Sequence, residues 1–291
     1  MSAADGGYYV PKPTSWPFLV AGGLCVAALG AVLALNGLKP GTWIAAFGAA
    51  VLAVFVFRWF ARVIGEAEAG VYTPQAERAF RWAMAGFLLT QVALFAVLFA
   101  ALLYARRYAL PWIAANELLW PGFDAVWPSA GPNGPVALEP GMLPGPNQFA
   151  PLAVGDIPAL NTLILFASGI LATWAYRGLL RENRAQLLTG LFLTIACGLG
   201  FLALQAYSHV LAYAEFALTL KTGIYGAIFF ALTGFHALQA LIAVIALAVA
   251  LTRAFKGQFQ ADRRFGLEAA VWYWHFVDAA WLFLFVFVYW L

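Results

Sequence analysis

Only 10% of the 291 residues carry a charge, where a soluble domain carries about a quarter. That shortage excludes a water-exposed globular chain. Cysteine is scarce as well: Cys25 and Cys197 both sit in apolar stretches, which excludes a disulfide framework and a CxxC metal site. The three histidines, His209, His236 and His275, fall in three different segments, with no spacing that suggests a haem or copper site. The N-terminal MSAADGGYYVPKPTSWP lacks a basic n-region and a cleavage motif, so the first apolar run is expected to be retained. No phosphate loop, nucleophile–base arrangement or nucleic-acid patch is present. On its own residues the chain supports no obvious catalysis.

What the sequence does have is apolar length. It is 64% hydrophobic with a mean hydropathy of +0.83. Runs of roughly 20 apolar residues are long enough to cross a bilayer core near 30 Å thick. They fall near 17–36, 42–62, 79–104, 157–178, 186–212, 222–252 and 267–290. The fold class is therefore an all-α polytopic membrane protein of seven transmembrane helices. Its expected layout is an N-terminal cytoplasmic segment 1–16, helices one and two within 17–62 and an inner loop 63–78. Helix three follows at 79–104, then an outer Pro/Gly-rich loop at 105–156 and helices four to seven within 157–290. Pro111, Pro121, Pro128, Pro132, Pro135, Pro140, Pro144, Pro146 and Pro151 make the 105–156 segment irregular. Its Trp112, Trp120, Phe123, Trp127 and Phe149 favour a loop lying over neighbouring helices.

Basic residues set the orientation. With the N-terminus inside, the inner segments hold Lys12, Arg58, Arg62, Arg78, Arg81, Arg177, Arg181, Arg184, Arg253, Lys256, Arg263 and Arg264. The outer ones hold Lys39, Arg106, Arg107 and Lys221. That asymmetry points to N-in, C-out. No internal repeat is evident, which disfavours transporters built on inverted repeats.

Ionisable groups inside spans are costly and face a protein interior, a cavity or a partner. His275 and Asp278 are three residues apart in the last span, share a helix face and are able to satisfy one another. They read either as a structural hydrogen-bonded pair or as a proton relay. His236, in TGFHALQ, reads as a satisfied interior histidine or a ligand. Gln91 and Gln239, with Asn161, Thr162 and Ser168, are expected to hydrogen-bond between helices. Trp59, Arg62 and Glu66 stack on one face at the end of span two, and Arg253 and Lys256 lie one turn apart at the end of span six. Such groups hold an anionic lipid headgroup, or are ordinary snorkelling charge on the inner side.

Several segments together resemble one family. GLEAAVWYWHFVDAAWLFLF closely resembles the signature of subunit III of cytochrome c oxidase, an A-type haem-copper oxidase of bacterial kind. YYVPKPTSWP is similar to the family's opening of span one, and RWFARVIGEAEAG with Tyr72, Thr73 and Pro74 to its span-two exit. LNTLILFASGILATWA, LQAY, GIYGAIFF, TGFHALQ and RAFKGQ resemble parts of spans four to six, so the likeness covers most of residues 8–291. The resemblance implies a non-catalytic core subunit of a proton-pumping terminal oxidase in the bacterial inner membrane. It implies direct packing on subunit I, with subunit II and the rest of the complex as further partners and haem and copper held outside this chain. It also implies that helices one and two splay from a bundle of helices three to seven. Phospholipid then occupies the cleft, lined by Trp59, Glu66, Arg253 and Lys256. The family role includes sustaining proton uptake and enzyme durability. His236, His275, Asp278 and Gln91 are left as structural polar groups within the membrane.

The sequence departs from the family pattern at several places. Thr90-Gln91 stands where a Ser-Glu pair is usual, Tyr176 and Arg177 where paired histidines follow Thr-Trp-Ala, and Gln239 where a second histidine follows Gly-Phe-His. Tyr72 replaces a common histidine, and Ser208-His209 begins an apparent insertion, with Glu215 further on. A glutamine does not titrate, so the departure at Gln91 puts any proton-storing role there in doubt. Two other assignments fit less well: a quinol-oxidase subunit III, which often has only five spans, and a free-standing seven-helix transporter, which needs a polar path through several spans.

Overall fold

In the computed structural model the described residues are 13–132, 149–260 and 263–290. The N-terminal Lys12 and its YYVPK segment, and the middle of the outer loop with Pro135, Pro140, Pro144 and Pro146, lie outside them. Every regular element among the described residues is helical, and seven helices are long and apolar enough to span a membrane.

The helices are α1 (Trp16–Leu35), α2 (Pro40–Glu68), α3 (Pro74–Tyr104), α4 (Leu110–Ala114), α5 (Ile157–Leu180), α6 (Arg184–Ala214), α7 (Ile224–Phe255) and α8 (Phe265–Leu284). Local chemistry explains the starts. Proline occupies the first turn of α1, α2, α4 and α5, where its missing N–H costs nothing and its φ is already helical. Thr73 Oγ1 accepts from the Ala76 amide at 3.2 Å ahead of α3, and Asn183 Oδ1 accepts from the Gln186 amide at 3.0 Å to cap α6.

Two helices run past their apolar stretches. α2 continues through Arg58, Arg62 and Glu66 to Glu68. The run begun by α3 passes through a π-helical turn, Ala105–Ala109, into α4 and ends at Ala114, inside the segment expected to be irregular loop. Arg106 and Arg107 end the hydropathy signal but not the helix, and Pro111 falls in the first turn of α4, where proline is tolerated.

The chain divides into two compact units, residues 1–80 and 81–291. In the first, α1 and α2 form a hairpin packed through glycines. A Cβ on Gly30 would strike the backbone of Ala45, one on Gly41 that of Ala34, and one on Gly48 that of Ala27. Small residues let helix backbones approach this closely, which replaces the hydrophobic drive that lipid removes.

The second unit is a bundle built on α5–α8. Trp274, Trp281, Phe201 and Phe229 are fully buried at its centre. α7 packs on both α6 and α8, and α8 also packs on α5, so α7 and α8 carry many of the buried side chains. Part of the outer loop docks on this bundle. Ala130 and Ser129 carbonyls accept from the Ile224 and Tyr225 amides at 3.2 and 3.0 Å. Trp127 meets the Tyr225 ring edge-on at 5.4 Å, and Phe149 stacks on that ring at 5.5 Å. Trp112 stays exposed.

Candidate functional site

The apolar bundle carries its polar side chains as a few discrete clusters. Each serves as an interhelical link or marks a helix end.

At the C-terminal end of α2, Glu66 is the acceptor of a small network. Its Oε1 accepts from Arg62 Nε at 3.0 Å and its Oε2 from the Tyr72 hydroxyl at 2.8 Å. Tyr72 in turn meets Phe80 edge-on at 5.0 Å. Trp59, half-buried two turns earlier, lies beside Phe60. The carboxylate thus fixes the direction of a guanidinium at the end of a hydrophobic helix, one turn beyond the Trp59 indole.

At the C-terminal end of α7, Arg253 Nε donates to Gln258 Oε1 at 3.3 Å, and its guanidinium carbon lies 4.5 Å from the Phe259 ring centre. That is cation–π distance. Lys256 is exposed and sits at the helix C-cap, where a cation complements the helix dipole. Arg184 Nη2 donates to the Phe255 carbonyl at 2.8 Å and ties the start of α6 to the same end. Trp59 and Glu66 belong to the first unit, Arg253 and Lys256 to the second.

The mid-span groups are cross-links. Gln239 Nε2 donates to Gln91 Oε1 at 3.0 Å, and Gln239 Oε1 accepts from the Tyr273 hydroxyl, so α3, α7 and α8 are tied at one level. His236 is fully buried among Phe95, Phe201 and Trp281, with Nε2 3.0 Å from the Val277 carbonyl. Trp274 and Trp281 donate to Ser168 Oγ and Thr162 Oγ1 at 3.0 and 2.9 Å, and so hold α8 on α5. His275 and Asp278 face each other at 3.6 Å, Nδ1 to Oδ2. The other ring nitrogen, Nε2, lies 3.0 Å from Thr173 Oγ1 on α5.

Three links were not legible from spacing. Gln205 on α6 accepts from Asn161 Nδ2 at 3.2 Å and lies 3.2 Å from His209 Nε2, which is 3.0 Å from Thr233 Oγ1 on α7. Arg81 Nε donates to the largely buried Glu268 at 2.9 Å. Arg264 Nε donates to the Tyr176 hydroxyl at 3.0 Å, so the tyrosine standing at a usual histidine position serves as an acceptor. The available signal was the acidic Glu268 in the first turn of an otherwise apolar helix.

Among the described residues no group of three or more His, Cys, Asp or Glu is placed to hold a metal ion. Fold and site together define a chain of seven helices able to span a membrane, whose mid-span polar side chains hydrogen-bond from one helix to another. The family model "Cytochrome c oxidase subunit III" matches residues 7–124 and 134–291. The chain is 34% identical to the cytochrome c oxidase subunit 3 of Hippopotamus amphibius over 298 residues, covering 100% of this chain and 99% of that one. It is 33% identical to that of Dugong dugon over 296 residues (100% and 99%) and to that of Cyprinus carpio over 289 residues (97% and 96%). The chain belongs to the cytochrome c oxidase subunit III family. It is therefore part of a multi-subunit oxidoreductase complex of aerobic respiration in which it is not the catalytic centre. The family carries no redox centre.

Proposed function

We propose that this chain flanks the catalytic subunit of a proton-pumping oxidase and holds anionic phospholipid at the C-terminal ends of α2 and α7. Subunit I, with its haems and copper, is the direct partner, and subunit II completes the core. The observation that carries the lipid reading is the guanidinium of Arg62, aimed by Glu66 and Tyr72 one turn above the half-buried Trp59. A cation fixed at an interfacial aromatic is the chemistry that recognises a lipid phosphate. Arg253, laid on Phe259 beside the exposed Lys256, offers the same chemistry on α7.

The twelve-to-four split of basic residues supports an N-in, C-out orientation, which puts both helix ends on the cytoplasmic side of a bacterial inner membrane. Lipid held at these helix ends supports proton uptake into subunit I and the durability of the enzyme. Because α1 and α2 are present, we favour cytochrome c over quinol as electron donor. A free-standing transporter fits poorly, since the mid-span polar groups pair with one another. The test is lipid analysis of purified oxidase. Trp59→Ala and Arg253→Ala should lower bound anionic phospholipid and shorten the enzyme's working life, with initial turnover intact. Wild-type lipid content and durability in both variants would contradict the proposal.

A further inference from the structure

In the first unit, α1 and α2 shape a groove of about 230 Å³, lined by Phe18, Gly22 and Val26 of α1 and by Phe47, Val51 and Phe55 of α2. No polar side chain lines it. Gly22 gives the groove its depth. A Cβ on Gly23, Gly30 or Gly48 would press on the backbone of the facing helix, so those three glycines serve the helix contact. A Cβ on Gly22 would meet nothing within 4 Å. Its missing side chain serves the groove instead.

The glycine contacts also fix the level of each residue. Gly23 lies against Leu52, Gly30 against Ala45 and Gly48 against Ala27, an antiparallel register that sets Arg58 level with Pro17 in the first turn of α1. The apolar run of α2 stops at the exposed Arg58, so the hydrocarbon edge falls near it. From Arg58, Phe55 is about 5 Å and Phe47 about 16 Å deeper at 1.5 Å per residue. Half of a 30 Å core is about 15 Å, so the groove follows one leaflet from near its edge to the midplane. Acyl chains are the solvent at that depth. A third helix packs through small residues, and Gly23, Gly30 and Gly48 are already used between α1 and α2.

The face of α2 that lines the groove ends in a fixed cation. Phe47, Val51, Phe55, Trp59, Arg62 and Glu66 recur at steps of three or four residues, which keeps them on one side of the helix. Arg62 gives Nε to Glu66 at 3.0 Å and stays 53% exposed. It lies about 6 Å beyond Arg58, which is headgroup depth. A phosphate bound there sets its own acyl chains at the mouth of the groove. We propose that α1 and α2 by themselves form the seat of one phospholipid, with the phosphate on Arg62 and one acyl chain laid over Gly22, a seat that rests on the anionic-lipid reading above for its headgroup.

The test uses purified oxidase in detergent with a few probe lipids per complex. The probes are phosphatidylglycerol and phosphatidylcholine, each with a diazirine midway along one acyl chain. After irradiation the adducts are mapped to peptides. Phosphatidylglycerol adducts are expected within residues 18–26 and 47–55. Gly22→Leu, which fills the groove, should lower them about fivefold, the change made by about 1 kcal/mol, and Gly22→Ala by less than about twofold. Arg62→Ala should lower the phosphatidylglycerol yield towards that of phosphatidylcholine. Adducts confined to other segments would overturn the inference. A yield unchanged by Gly22→Leu, in a hairpin as protease-resistant as wild type, would overturn it too. Mapping on the unsubstituted chain decides the matter where a variant fails to fold. Equal yields from the two probes, both lowered by Gly22→Leu, would support the acyl seat and overturn the anionic-lipid reading instead.

Discussion

Gln239 donates to Gln91 across 3.0 Å and joins α7 to α3 through two side chains that cannot ionise. The position where the family usually carries a carboxylate is thus a neutral cross-link here, extended to α8 by Tyr273. Gln91→Leu should leave the Gln239 amide without its acceptor and cost about 1–2 kcal/mol. Gln91→Glu, which restores an acceptor, should stay within about 1 kcal/mol of wild type. Thermal inactivation of the purified complex reads both, and a Gln91→Leu complex as durable as wild type would sink the cross-link.

Glu66 accepts from Arg62 and Tyr72, so in the proposed lipid site it would hold the cation rather than meet the phosphate. Glu66→Gln keeps an acceptor and removes a repelling charge, so bound anionic phospholipid should hold steady or rise. Because Arg62 and Glu66 are 53% and 36% exposed, the stability change should be under about 1 kcal/mol. Lipid extraction that finds fewer anionic lipids in Glu66→Gln would show a direct role for the carboxyl.

His236 sits in an aromatic box with one nitrogen unpartnered. A packing role predicts that His236→Ala costs about 2–5 kcal/mol through the cavity it leaves, while the bulkier His236→Leu assembles and pumps protons normally. Loss of pumping in a fully assembled His236→Leu enzyme would instead give this histidine a proton to carry.

Gly30 and Gly41 are where α1 and α2 touch backbone to backbone. Gly30→Leu or Gly41→Leu should open that hairpin and expose the loop between its helices to protease. The substitution Gly22→Leu, at a glycine with no neighbour to strike, should leave it protected. Limited proteolysis in membranes distinguishes them, and equal protection in all three would refute the packing argument.

Much of the fold was legible because a bilayer imposes one simple rule, that a span must be apolar and about 20 residues long. The seven runs appear as seven helices. Their ends were not legible, since hydropathy stops at the first charges while helical hydrogen bonding continues, as at Arg62 in α2 and Arg106 before α4. The spacing of His275 and Asp278 put them on one face, yet it gave no hint that Thr173 holds the histidine's far side or that one oxygen of Asp278 is left over. Links such as Arg81–Glu268 join residues far apart in the chain, and only the folded bundle brings them together.

On the function proposed above, this chain is a non-catalytic subunit of a haem-copper oxidase. Affinity purification through this chain alone, from gently solubilised membranes, followed by a reduced-minus-oxidised haem spectrum and peptide identification, tests it most directly. Haem and copper should appear in fixed ratio to the chain, carried by co-purifying larger subunits that can be stripped away to leave this one colourless. A chain that purifies without haem-bearing partners, or that keeps haem after they are removed, would contradict it.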